Sequence, residues 1–175
     1  MLLIIKFCSL FLIVLLSSFI GCLVANKYNY RVKELEDVIS ALELLETRVK
    51  YTYDTICDSF EFVAENMKTK AYRVFMISAA VLKENKSMSA GDVFRNTLDE
   101  EAPFLSMEKE DIDVFKGLGT SLGQVDLEGQ LKNIILVKDL MKKNLNEALD
   151  GKEKNYRLSR NMGVFIGLVI MIILI

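Results

Sequence analysis

Histidine is absent from all 175 residues. That single absence removes both the commonest general base and the commonest neutral metal ligand. Cysteine is scarce: Cys8, Cys22 and Cys57 show no CxxC and no paired spacing, so the chain does not rely on disulfides. Proline occurs once, at Pro103, where it breaks the chain between short elements. Charge of either sign is nearly balanced, with a formal net of −2, which argues against a nucleic-acid-binding surface. Period-two alternation and hairpin signals are missing as well, which leaves an all-α reading.

What is plentiful is apolar residues, 51% of the chain, with the excess at the two ends. Phe7 to Ala25 is 19 residues without a charge, preceded by Lys6. That is long enough to cross a hydrocarbon core about 30 Å thick. A signal peptide is the competing reading, and Phe19-Ile20-Gly21-Cys22 resembles a lipoprotein box with Cys22 acylated. Met162 to Ile175 is 14 uncharged residues, alone reaching about 21 Å. With Tyr156 and Leu158 included, and Arg157 and Arg160 snorkelling, it enters a bilayer deeply or crosses it. Lys27, Arg31 and Lys33 follow the first segment, and Lys152, Lys154, Arg157 and Arg160 precede the second. The positive-inside bias then places the intervening domain in the cytoplasm.

These ends give three parts: an N-terminal anchor at 1–26, a helical domain at 27–161 and a C-terminal membrane segment at 162–175. Between the ends the period is helical. Val32, Leu35, Val38, Leu42, Leu45 and Val49, widened by Ile39 and Leu44, mark an amphipathic helix continuing from the first segment without Pro or Gly. Tyr53, Ile56, Phe60, Val63 and Met67 mark the next, capped by Thr52 or Asp54. AYRVFMISAAVL at 71–82 predicts a largely buried helix. Ser89 with Asp92 suggests a capping box ahead of Val93, Phe94 and Leu98. Ser106 is the expected cap for a helix carrying Ile112, Val114, Phe115 and Leu118. Asp126 caps a last helix with the stripe Leu127, Leu131, Ile134, Ile135, Met141, Leu145 and Leu149, in which Gly151 is absorbed at about 1 kcal/mol. The fold class is therefore all-α: a bundle of five or six helices flanked by N- and C-terminal membrane helices.

Charge is segregated. Residues 92–113 hold eight acids against Arg95 and Lys109, whereas 132–160 hold eight bases against four acids. Two solvated faces explain this, or an acidic partner-binding surface held away from a basic membrane-proximal end. Glu108, Glu110, Asp111 and Asp113 show no calcium-loop spacing, so a solvated acidic turn is expected there. Cys57 sits at an apolar position and reads as a core thiol.

GLGTSLG at 117–123 invites comparison with phosphate-binding loops. Its spacing is GxGxxxG after a helix, and Gln124-Val125 stands where a P-loop needs Lys-Ser or Lys-Thr. Gly119, Gly123 and Asp126 instead read as a helix corner with a cap. No catalytic, cofactor-binding or metal-ligating residue emerges, and no cofactor or small-molecule substrate is implied.

Three stretches carry a resemblance: ALELLETRVKY at 41–51, EDIDVFKGLGTSLGQVDLEGQLKNI at 110–134, and KNYRLSRNMGVFIGLVIMIIL at 154–174. Together they resemble the stage III sporulation protein AB family of endospore-forming Gram-positive bacteria. The most specific part is a pattern LGxxLGxxDxxxQxK, occupied by Leu118, Gly119, Leu122, Gly123, Asp126, Gln130 and Lys132. The family's domain is similar to helical domains of type II secretion F, or inner-membrane platform, proteins. The resemblance implies a non-enzymatic membrane platform or adaptor in a secretion-like complex between mother cell and forespore. It implies residence in the mother-cell (outer forespore) membrane and partners that include a secretion-type ATPase. Glu108, Glu110, Asp111, Gln130 and Lys132 are the expected partner-binding residues. The alternative is an extracytoplasmic helical lipoprotein binding a ligand or cell-wall component, which turns on Cys22.

Overall fold

The computed structural model describes residues 2–52, 54–85, 87–123 and 126–174, with few side chains described along 1–25 and 153–175. Tyr53 lies outside the described set, as do the side chains of Cys8, Cys22, Tyr156, Arg157, Leu158 and Arg160 and most side chains of 7–25 and 162–175. Among the described residues no helix is long and apolar enough to cross a membrane.

Among the described residues every regular element is a helix, with no strand. The order is α1 (Leu2–Tyr51), α2 (Ile56–Asn66), α3 (Tyr72–Glu84), α4 (Ala90–Glu101), α5 (Lys109–Lys116) and α6 (Leu127–Leu174), with 3-10 turns at Ala102–Phe104 and Gly117–Thr120. The chain divides into two compact units, one formed by Arg31–Glu147 and the other by the chain on either side of it.

Within Arg31–Glu147 the core is built on four phenylalanines from four successive helices. Phe60, Phe75, Phe94 and Phe115 are fully buried. Phe60 meets Phe75 edge-on at 5.3 Å between ring centroids, and Phe94 meets Phe115 edge-on at 5.2 Å. The edge-to-face geometry sets positive ring edges against negative faces, adding about 0.5–1.5 kcal/mol per pair beyond burial. Leu35, Val38, Leu42 and Leu45 of α1 and Ile134, Val137 and Met141 of α6 complete the interior. The long α1 stripe is thus the buried face its period announces.

Several local expectations change. Thr52 does not start α2: its hydroxyl donates to the Arg48 carbonyl at 2.6 Å, and Asp54 pairs with Arg48 at 2.7 Å, so both finish α1. Thr55 caps α2 instead, accepting from the Asp58 N–H at 3.2 Å. Ser89 occupies the cap position of α4 without a side-chain cap bond, and Asp92 is drawn away to Arg95. Helix α3 is one-sided rather than largely buried, exposing Tyr72, Arg73 and Met76. On α6 the apolar stripe is wider than the interior it faces: Leu127 and Ile135 stay exposed, while Ile134, Val137 and Met141 pack.

The start of α5 is decided by a capping box. Glu108 and Asp111 each accept from the other's backbone N–H, which displaces Ser106 from that role. Ser106 instead donates its N–H to the Glu34 carboxylate at 2.5 Å. Glu34 is 5% exposed, and burial pushes its carboxyl up, against the pull of the Ser106 N–H and the Lys70 ammonium. A raised folded-state value means this group favours folding most below its unfolded-state pKa, and the contribution is lost as pH rises through the folded one. Glu34→Gln mimics the protonated form. Thermal unfolding between about pH 4 and pH 7 should show the variant gaining on the parent as pH rises. A constant difference would show that Glu34 titrates normally.

Candidate partner surface and the clamp beneath it

The residues that the sequence groups together on α5 separate in the fold. Asp111 is fully buried. Its Oδ2 accepts from Arg31 Nε at 2.7 Å and from the Glu108 N–H at 2.9 Å. Its Oδ1 accepts from Arg31 Nη2 at 3.0 Å and from Asn144 Nδ2 at 2.9 Å. One carboxylate therefore joins α1, α5 and α6. Glu108 adds a second acid to the same guanidinium at 2.9 Å. Burial alone would lower the Arg31 pKa, but the hydrogen bonds and charge of Asp111, aided by Glu108 and Glu110, raise it instead. Arg31 is thus a permanent cation, and Asp111 is a clamp rather than part of a solvated turn.

The acidic face shrinks for the same reason. Asp92 pairs with Arg95, Asp99 with Lys116, Glu101 with Arg73, and Glu108 and Asp111 with Arg31. Of the eight acids in 92–113, Glu100, Glu110 and Asp113 remain exposed with no salt bridge described. The basic stretch is likewise engaged: Lys138 reaches Glu46, Lys142 reaches Glu43 at 3.3 Å, and Lys143 lies 3.7 Å from Glu147. Lys132 pairs with Glu128 at 2.7 Å with both side chains open to water, a contact worth about 0.3–0.5 kcal/mol. Gln130 is half-buried in the second turn of α6.

The corner at 117–126 is a close backbone crossing. A Cβ on Gly119 would lie 2.7 Å from the Gly91 carbonyl oxygen and 2.7 Å from Arg95 Cγ. Arg95 Nη1 donates to the Gly119 carbonyl at 3.1 Å, fixing the crossing. Gly123 has φ +75°, a left-handed conformation that glycine adopts without a Cβ penalty. Asp126 Oδ1 accepts from the Gly129 N–H at 2.7 Å, an N-cap bond at the third helical position. Asp126→Ala should therefore lower stability by about 1 kcal/mol in urea unfolding, with Asp126→Ser retaining most of it. An unchanged midpoint would show the cap to be dispensable.

Sequence patterning does not mark four residues as part of this site: Arg31 and Arg95, which read there only as membrane-flanking and surface cations, and Asn133 and Asn144. Asn133 Nδ2 donates to the Gly117 carbonyl at 3.0 Å and to Ser121 Oγ at 2.7 Å, tying the corner to α6. A signal existed for two of them. Arg31 stands four residues before Leu35 and seven before Val38, and Asn144 three after Met141. Both are polar residues in register with a buried stripe.

Among the described residues no group of three or more His, Cys, Asp or Glu is placed to hold a metal ion. The Cys57 thiol donates to the Ala79 carbonyl at 3.2 Å, and burial, then Glu61, push its pKa up, so thiolate is disfavoured. The arrangement fastens helices and presents surface.

A family model described as stage III sporulation protein AB matches residues 6–175. The chain belongs to the stage III sporulation protein AB family. A relative of that name from Bacillus subtilis (strain 168) is 24% identical over 162 residues, covering 93% of this chain and 94% of the relative. A solved structure of stage III sporulation protein AB superposes with a TM-score of 0.67 at 22% identity, covering 71% of this chain and 98% of that one. At that identity the superposition speaks to the fold, and it is the same helical fold. Membership of the stage III sporulation protein AB family makes this a sporulation-related protein, in a family not known for enzymatic activity.

Proposed function

We propose that the protein is a non-enzymatic membrane platform or adaptor of a sporulation-specific, secretion-like complex between mother cell and forespore. The family match over residues 6–175 carries this reading. It draws also on α1 and α6, which run without a break into the charge-free segments 7–25 and 162–175. In this reading those segments anchor the protein in the mother-cell (outer forespore) membrane, and the helical body stands in the cytoplasm. There it couples a secretion-type ATPase to the other stage III subunits. Contacts run through the exposed acids Glu110 and Asp113, next to Glu108, and through Gln130 and Lys132 on α6. Asp111 serves this surface from beneath, by holding α5 against α1 and α6.

Two measurements test it. Membrane fractions from sporulating cells should retain the full chain after a carbonate wash, with its original N-terminus. A mature end at an acylated Cys22 would make it a lipoprotein instead. Glu110→Lys with Asp113→Lys should cut co-purification of the other stage III subunits while thermal unfolding falls by only a few degrees, since both side chains are exposed and the loss of an acid from the first turn of α5 near Arg31 costs about 0.3–1 kcal/mol. Undiminished co-purification would remove these acids from the interface.

A further inference from the structure

Asp111 is used at two levels of structure at once. Within α5 it closes the capping box: its Oδ2 accepts the Glu108 N–H at 2.9 Å, and its own N–H donates to the Glu108 side chain. Between helices the same two oxygens take Arg31 of α1 at 2.7 and 3.0 Å and Asn144 of α6 at 2.9 Å. Oδ2 is therefore shared by the cap and α1, and Oδ1 by α1 and α6. A carboxylate has about four acceptor positions, and all of them are filled here. The geometry that caps α5 is thus the same geometry that joins α1 to α6.

The first turn of α5 is also the part of this helix with least to hold it. At 8 residues α5 is too short to stand alone. It buries Phe115 in its last turn, among the other phenylalanines, and Asp111 in its first. The last turn is held by apolar packing and the first by polar bonds. A buried carboxylate costs solvation that only its full set of partners offsets. When 108–112 lifts away, water reaches Asp111 and Arg31 together, so neither charge stays buried and unmatched. That opening costs less than deleting Asp111 from the closed structure. The ties on the other two helices stand at the limits of the unit: Arg31 is its first residue, and Asn144 lies three before its last.

We propose that the first turn of α5 and the junction of α1 with α6 at residues 31 and 144 open and close as one unit, with Asp111 as the coupling group. Linkage makes the effect reciprocal: whatever holds α5 folded holds α1 to α6 there, and whatever parts those two helices loosens α5. A partner gripping Glu110 and Asp113 on folded α5 therefore closes the junction. That use of the device rests on the adaptor reading, whereas the coupling rests on the geometry alone. The test is hydrogen–deuterium exchange of the full chain in lipid nanodiscs, read by mass spectrometry. The reporters are the amides of Glu108, Asp111 and Ile112, the last two lying 3.0 and 3.1 Å from the Glu108 carbonyl oxygen. In the parent they should exchange faster than amides of α2 and α3, as a locally opening segment does. Asn144→Ala removes one bond to Asp111 from a different helix and raises helix propensity at its own position. It should speed exchange at 108–112 about fivefold, the effect of one hydrogen bond, and leave α2 and α3 unchanged. Arg31→Lys keeps the charge but loses the two-pronged fit, and should speed it about tenfold. The double variant should fall short of the product of the two factors, because both act through one carboxylate. Parent protection at 108–112 equal to that of α2 and α3, no change in either variant, equal acceleration in every helix, or factors that multiply would each overturn the coupling. Accelerated exchange with undiminished co-purification of the stage III subunits would leave the coupling standing and take the partner off α5.

Discussion

Asp111→Ala is expected to lower the stability of the helical body by about 3–5 kcal/mol, the range for breaking a buried ion pair from one side. The substitution removes the acceptor of four hydrogen bonds at once. It leaves the Arg31 guanidinium, on a side chain only 13% exposed, facing Glu108 alone, and it strands the Asn144 amide and the Glu108 N–H. An unmatched buried charge costs more than the pair gains, so the loss comes mainly from what remains. It follows that Arg31→Met with Asp111→Leu should recover most of it, and urea unfolding of the four proteins of the cycle gives the coupling directly. A loss below about 1 kcal/mol for Asp111→Ala would mean that water reaches Arg31 freely and that the three helices are not joined here.

Gly91→Ala should be the next most damaging change, at about 3 kcal/mol, the upper end of the range for overpacking. A Cβ there would stand 2.0 Å from the Gly119 carbonyl oxygen and 3.1 Å from its carbon. Both are backbone atoms, so no side chain can swing aside. Either α4 or the 117–120 turn must move, and Arg95 and Asn133 hold that turn in place. Gly117→Ala is the matched control. Its nearest contact would be Val137 Cγ2 at 3.7 Å, an ordinary van der Waals distance, and its φ of −57° suits any residue. Alanine at Gly117 should leave the unfolding midpoint nearly unchanged. Similar losses at both positions would show that glycine is required at the corner for chain flexibility rather than for close approach.

The contrast between these two glycines marks how far sequence reasoning reached at the corner. GLGTSLG is visible as three glycines in a short run, but nothing in their spacing says which of them touches another helix. The partner of Gly119 is Gly91, on α4, in a segment with no glycine pattern of its own. The acids behave likewise. Eight carboxylates in 92–113 look like a surface because acids usually are one. Five of them face cations: Asp92 meets Arg95 within α4, whereas only assembly of the helices brings the cations of α1, α3 and α5 within reach of the other four.

Periodicity alone determined the all-α class, the long amphipathic α1 and the placement of most helices, because burial on one side of a helix imposes its repeat on the sequence itself. The family was legible too, through the LGxxLGxxDxxxQxK pattern. The tertiary structure alone decided which polar residues lie inside. Arg31 and Asp111 are separated by 79 intervening residues, and their pairing depends on helices meeting at one angle and one register. A one-dimensional pattern records that a side chain faces inward, and only the packed helices determine what it meets there.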